Sequence, residues 1–206
     1  AARARGAHLH GAGREDIDAR MLGSGRPFVL EILGPRTRSL DLRALNEALG
    51  REAAGRVEVA ELRWTSREAV AQVKETRATK RYAVRVALRE EVDEADLQRA
   101  LRELVGVIEQ RTPRRVAHRR ADLVRERRLH EIHGRMAGLR EAELELVTDG
   151  GLYVKELVSG DEGRTHPSLS ETLGVAAVVT ALDVMRITSS EFPDGADGSV
   201  DERADV

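Results

Sequence analysis

The sequence has 206 residues, 41% of them hydrophobic, a formal net charge of −2 and no cysteine. Disulfides, thiolate zinc sites and cysteine nucleophiles are therefore excluded, and no apolar run approaches the roughly 20 residues of a membrane span. Because no signal-peptide pattern opens the chain, we expect a cytoplasmic protein without membrane contact.

Strand and helix patterns alternate along the chain after an opening loop at residues 13–28, whose glycines permit close approach of the backbone to a ligand. Strands are predicted at residues 28–33, 57–62, 80–89, 123–132, 143–148, 152–158 and 175–187. Helices are predicted at residues 39–50 and 93–110, the second capped by Asp93. Residues 67–79 are predicted to be a mobile excursion and residues 159–170 a loop. This mixture predicts an α+β domain over residues 1–190, built on a largely antiparallel sheet flanked by helices.

Residues 191–206 form an acidic tail with six carboxylates against one arginine. Such a low-complexity, charged sequence is typical of disordered segments. The printed sequence begins with Ala1 rather than Met, so we expect that an upstream part of the protein is missing from it.

The strand at residues 80–89 has the clearest pattern in the chain. A period of two places its side chains alternately on two faces. Tyr82, Val84, Val86 and Leu88 share one face, and Arg81, Arg85 and Arg89 share the other. This alternation predicts a strand with one buried face.

Several kinds of catalytic site are disfavoured by the motifs. His8 and His10 lie near three carboxylates (Glu15, Asp16 and Asp18), but the spacing matches neither a zinc helix nor a calcium loop. His130 and His133 likewise form a pair without a partner set. No nucleophile elbow or phosphate-binding glycine loop is present. A metal-dependent phosphoesterase that uses the three carboxylates remains a minor alternative.

Residues 111–128 carry eight arginines and two acids, which favours contact with an RNA backbone over a neutralised surface. A solvated charged face is the competing interpretation. The whole chain has only five aromatic residues, so binding through rows of stacked bases is disfavoured. Tyr82 is the ring best placed to stack on a base, or else a tyrosine at the edge of the core. Lys155 interrupts an apolar segment and needs a carboxylate partner if it is buried, unless it lies on a solvated strand face.

Three segments together resemble one family. Gly13-Arg14-Glu15-Asp16 and the residues to Phe28 resemble the G-R-x-D catalytic loop of pseudouridine synthases, in the form found in the archaeal and eukaryotic enzymes that act on the TΨC arm of tRNA. Residues 111–124 and 151–165 are similar to two further signatures of that family. The resemblance spans residues 9–187, and it implies the pseudouridine synthase catalytic fold and a reaction without cofactor or metal.

The resemblance also implies roles for individual residues. Asp16 is expected to be the catalytic aspartate, Tyr82 to stack on the flipped base and transfer the proton at C5, and Lys155 to pair with the aspartate. Residues 67–79 are expected to form a loop that binds RNA. The residues expected to bind the RNA are Arg14, Arg20, Arg26, Arg114, Arg115, Arg119 and Arg120.

The resemblance leaves the exact activity open. The family has an N-terminal RNA-binding region with a cysteine zinc site, and the sequence printed above contains neither. We therefore expect an N-terminally truncated, archaeal, monomeric enzyme that acts on tRNA and not on DNA, at position 54, position 55 or both. The alternative is a non-catalytic tRNA-binding or assembly domain with the same fold.

Overall fold

The computed structural model describes residues 1–75 and 78–188, so the predicted tail at 191–206 and the domain boundary at 190 lie outside the described residues. In chain order, its elements are β1 (Gly6–Gly11), β2 (Arg20–Met21), β3 (Phe28–Leu33), α1 (Leu42–Ala53), α2 (Glu68–Glu75), β4 (Thr79–Leu88), α3 (Glu94–Leu104), β5 (Gly106–Arg111), a 3₁₀ helix (Arg114–Arg119), β6 (Val124–Gly138), β7 (Glu141–Asp149), α4 (Val154–Ser159), β8 (Thr165–His166), α5 (Leu169–Leu173) and β9 (Ala177–Thr188). The described residues divide into two compact units, the first formed by residues 1–12 and 27–75 and the second by residues 13–26 and 78–188.

The first unit is a two-stranded antiparallel sheet of β1 and β3 with helices α1 and α2. Asp41 caps α1 by accepting a hydrogen bond from the Ala44 amide at 3.0 Å, which satisfies one amide at the helix start. Helix α2 packs against both strands, and Val73 on this helix is only 1% exposed.

The second unit contains a seven-stranded sheet in the order β2-β9-β4-β7-β6-β5-β8. All neighbouring pairs are antiparallel except β2 with β9. Helix α3 packs against β6 and α5, and α4 packs against β9 and α5. The largest fully buried side chains of the unit include Leu97, Leu104, Ile108, Leu129, Leu144, Leu146 and Leu157.

Strand β4 is central in the sheet and has the predicted two faces. Tyr82, Val84, Val86 and Leu88 are each 5% exposed or less. On the opposite face, Arg81 lies near Glu131 and Glu145, and Arg85 lies near Glu143. The alternation therefore identifies both the strand and its buried side.

The predictions for residues 57–62 and 67–79 are wrong. Residues 57–62 form no strand, and Glu61 within them has a φ of 53°, in the left-handed region rather than the extended one. The predicted excursion at residues 67–79 instead contains α2 and the start of β4. The small buried residues Ala69 and Val73, four positions apart, hold that helix against the sheet.

In the second unit, three predictions require correction. The helix predicted at residues 93–110 ends at Leu104, because Gly106 has a φ of 142° and the chain continues as β5. Residues 152–158 contain α4 rather than a hairpin strand. The predicted loop at residues 159–170 contains β8 and the start of α5. None of the helices described is long and apolar enough to cross a membrane.

Candidate active site

The loop Gly13–Arg26 is held to strand β9 through its main chain. The amides of Leu22 and Gly23 both donate hydrogen bonds to the Val184 carbonyl oxygen at 3.2 Å. A Cβ atom built on Gly23 would lie 1.6 Å from the Met185 carbonyl oxygen, so only glycine allows this approach. The close approach made by this glycine is to the backbone of strand β9.

Asp16 is fixed within this loop by an arginine from the 3₁₀ helix. Arg115 Nη1 donates to Asp16 Oδ1 at 2.6 Å, while Arg115 Nε donates to Glu156 Oε1 at 2.7 Å. The Glu156 side chain is 6% exposed. Burial lowers the pKa of the Arg115 guanidinium, but the hydrogen bonds that it donates to Glu156 and Asp16 outweigh this effect and raise the pKa. Arg115 thus connects the loop to α4.

Lys155 lies on α4, where its nearest carboxylate is Asp18. The distances from Lys155 Nζ to the two Asp18 oxygens are 2.8 and 2.6 Å, and the distance to Asp16 Oδ2 is 3.9 Å. The hydrogen bond from Lys155 lowers the pKa of Asp18, more strongly than partial burial raises it. The expected partner of Asp16 is therefore present at longer range, and Arg115 is the closer cation.

Tyr82 lies beneath the same loop and is 4% exposed. Burial raises the pKa of its hydroxyl, and the negative charge of the neighbouring Glu15 raises it further, so the phenol is protonated at neutral pH. Glu15 is itself paired: Lys80 Nζ lies 2.6 Å from Oε1 and Arg26 Nη2 lies 3.0 Å from Oε2. The predicted residues Asp16, Tyr82 and Lys155 are thus brought together in one part of the second unit, and their catalytic roles stay predictions.

The seven arginines expected to bind RNA fall into two groups. Four are engaged within the protein, in ion pairs with Asp183 (Arg20), Glu15 (Arg26), Glu162 (Arg114), and Asp16 and Glu156 (Arg115). The other three, Arg14, Arg119 and Arg120, line a cavity of about 180 Å³ together with Glu15. Arg120 also donates a hydrogen bond to the Tyr153 hydroxyl at 3.2 Å. Only the second group is available to a ligand without breaking an ion pair described here.

Three residues of this site were not singled out by sequence: Glu15 as a buried anion, Lys80 and Glu156. Lys80 had a usable signal, because strand alternation places it on the same face as Tyr82, where a lysine requires a buried partner. Glu156 had no such signal, because its segment was predicted to be a strand and is a helix. Within residues 1–75 and 78–188, no group of three or more potential metal ligands is present.

Comparison with known proteins identifies the family of the chain. The model of the family described as "Pus10, C-terminal" matches residues 1–188. The chain belongs to this family. The Pus10 relatives include a protein of Methanothrix thermoacetophila, 50% identical over 87% of this chain and 40% of its own length. Another, from Archaeoglobus fulgidus, is 51% identical over 90% of this chain and 52% of its own length.

Both relatives are named "tRNA pseudouridine synthase Pus10". The chain spans about half the length of these curated relatives or less. A solved structure described as a Cbf5-Nop10-Gar1 complex matches 87% of this chain and 40% of the solved chain, with a TM-score of 0.58 and 18% identity. The predicted family and the predicted α+β fold are confirmed.

Proposed function

We propose that this Pus10 C-terminal chain carries the catalytic site of a tRNA pseudouridine synthase. The activity is the isomerisation of uridine to pseudouridine in the TΨC arm, at position 54, position 55 or both. The observation that carries the proposal is the environment of Asp16, a carboxylate in a loop anchored to the sheet and hydrogen-bonded to Arg115. The names of the relatives support tRNA as the substrate.

The chemistry explains why a fixed carboxylate is required. The reaction breaks the bond between N1 and C1′, turns the base and joins C5 to C1′, so the uridine must first leave its stack. Asp16 starts the cleavage by acting at C1′. Arg115 holds Oδ1 at 2.6 Å, which leaves Oδ2, 3.9 Å from Lys155, as the oxygen available to the ribose. No cofactor or metal is required by these steps.

Arg14, Arg119 and Arg120 supply the contact with the RNA backbone. Their guanidinium groups border one cavity next to the loop, and Glu15, the acid in its lining, is already paired with Lys80. Guanidinium groups bind phosphate through paired hydrogen bonds, so the cavity suits a phosphate adjacent to the flipped uridine. The proposal includes tRNA rather than DNA as the partner, a monomeric protein and a cytoplasmic location.

The proposal is tested by incubating the protein with an unmodified tRNA transcript and mapping pseudouridine. We expect modification in the TΨC arm and complete loss of it in Asp16→Asn. Asp96→Asn is the matched control, because Asp96 lies on α3, is half-exposed and, among the residues that the structure describes, has an ion pair only with Arg99. Full activity of Asp16→Asn would overturn the assignment of the site. Binding of tRNA without any modification would support the non-catalytic alternative.

A further inference from the structure

The ion pair between Glu15 and Lys80 is the most buried ion pair of the site. The side chains are 9% and 6% exposed, and the two atoms are 2.6 Å apart. Removing two charges from water costs several kcal/mol per ion, and the attraction between them often does no more than compensate. A buried pair is therefore weak evidence for a stabilising role, and its position beside Tyr82 favours a role in the reaction.

The two oxygens of Glu15 differ in their hydrogen bonds. Oε1 accepts a hydrogen bond from Lys80. Oε2 faces Arg26 at 3.0 Å without an aligned N–H, and it is a buried acceptor with no hydrogen-bond partner among the described residues. A buried acceptor without a donor costs free energy, so such atoms call for an explanation. Tyr82 lies two positions from Lys80 on the same buried face of β4, and Lys80 Nζ is 2.6 Å from the Glu15 carboxylate. The negative charge of Glu15 accordingly raises the pKa of the Tyr82 hydroxyl, after burial, which is the larger cause.

If Tyr82 receives a proton during the reaction, a nearby group must accept the proton that its hydroxyl already carries. Under the proposed function, on which this inference rests, the Tyr82 oxygen takes the proton from C5 after the base has rejoined the ribose. A neutral phenol cannot hold two protons on its oxygen near neutral pH. Its own proton must therefore leave as the new proton arrives.

We propose that Glu15 accepts the phenolic proton of Tyr82 while the Tyr82 oxygen accepts the proton from C5. The C5–H bond breaks, and its electron pair becomes the C5=C6 double bond. The electrons of the C6=N1 bond move to N1, which takes a proton from water. Lys80 and Arg26 hold the Glu15 carboxylate in place. Glu15 is thus a positioning residue that acts through Tyr82, and it later returns its proton to solvent.

The experiment compares tRNA carrying uridine with tRNA carrying 5-deuterouridine in single-turnover reactions. In Glu15→Gln we expect the rate of pseudouridine formation to fall by about 100-fold or more, the usual contribution of a positioned proton acceptor. We also expect a primary isotope effect larger than that of the unsubstituted protein, because removal of the C5 proton becomes rate-limiting. A merely structural role slows binding or base flipping and leaves the isotope effect unchanged.

Glu15→Asp keeps the carboxylate and is expected to recover a large part of the rate lost in Glu15→Gln. An isotope effect in Glu15→Gln equal to that of the unsubstituted protein, or equal losses in both variants, would overturn the inference. If Glu15→Gln fails to fold, the isotope effect is measured on Glu15→Asp, whose shorter side chain should still slow the proton step and raise it. An unsubstituted protein without activity would contradict the proposed function instead.

Discussion

At the scale of single residues, the site is organised by Arg115. Its guanidinium reaches Asp16 with one nitrogen and the buried Glu156 with another, so one side chain orients the carboxylate that we propose to be catalytic and neutralises a buried one. The planar, fixed fork of arginine is suited to this double contact, and a lysine could not reproduce it. Function and stability are therefore coupled at this position.

We expect Arg115→Met to lose stability and activity together. Glu156 would be left buried without its cation, at a cost of about 3 kcal/mol in the free energy of unfolding. Asp16 would lose its fixed orientation, which we expect to slow modification by about 100-fold. Urea denaturation and a pseudouridine assay measure the two effects.

The double variant Arg115→Met/Glu156→Gln separates the two effects. Removing the unpaired charge should restore most of the stability but not the rate, because Asp16 still lacks its hydrogen-bond donor. Recovery of both would show that Arg115 has no role beyond neutralising Glu156.

The sequence predicted some of these residues and not their contacts. Asp16, Tyr82 and Lys155 were identified through a resemblance whose signatures include the loop around Asp16. The pairing of Asp16 with Arg115 was not predicted, because the two residues are 99 positions apart and their contact depends on the folded sheet. Long-range ion pairs of this kind leave no periodic pattern in a sequence.

At the scale of elements, local chemistry decides where helices begin and end. Helix α3 starts at an N-cap, Asp93, whose side chain accepts a hydrogen bond from the Asp96 amide at 2.7 Å. Its buried residues lie on one face and pack against β6. The cap and the apolar residues act together, because the cap fixes where the helix begins and so which of its residues face the core.

We expect Asp93→Ala to reduce the free energy of unfolding by about 1 kcal/mol, since an amide of the first turn loses its acceptor. Thermal unfolding followed by circular dichroism measures the change. Glu103→Ala on the same helix is the matched control, because Glu103 is exposed near the helix end. A decrease of the same size in both variants would assign the effect to lost surface charge rather than to the cap.

Helices and strands were predicted correctly where the apolar residues followed one period, and wrongly where their spacing fitted both a helix and a strand. Strand β4 alternates over ten residues, which leaves little ambiguity. Helix α4 has only six residues, and its buried Val154, Leu157 and Val158 fit both a helix face and an apolar strand. Gly160, which ends α4 with a φ of 78°, was the available signal for a helix.

At the scale of the whole molecule, the uneven distribution of charge matters more than the net value of −2. Many cations of the second unit are held in ion pairs. They include Arg81 and Arg85, on the face of β4 opposite its buried face (the outer sheet face), and Arg135 on β6. Arg14 and Arg119 have no ion pair among the described residues, and they border the cavity beside the loop. We therefore expect the contact with RNA to be concentrated at this cavity.

Replacing Arg14, Arg119 and Arg120 by alanine is expected to weaken binding of tRNA and to make it less dependent on salt. Each lost phosphate contact reduces the slope of log K against log salt by about 0.7 to 0.9. Binding is measured by fluorescence anisotropy across a series of KCl concentrations. Arg85→Ala, which removes an arginine facing Glu143 on the outer sheet face, should leave the slope unchanged. The opposite pattern would place the RNA on that face.

The contact of Gly23 with the Met185 carbonyl oxygen also has a consequence for the genetics of this chain. A Cβ would be 1.6 Å from that oxygen, and the obstacle is main chain, which no rotamer change can relieve. Every missense change in this codon therefore has to displace the segment that carries Asp16 or distort strand β9. Such alleles should behave as loss of function whatever the size or polarity of the new residue. By contrast, a Cβ at Gly138 would meet no atom within 4 Å, and that codon should tolerate change.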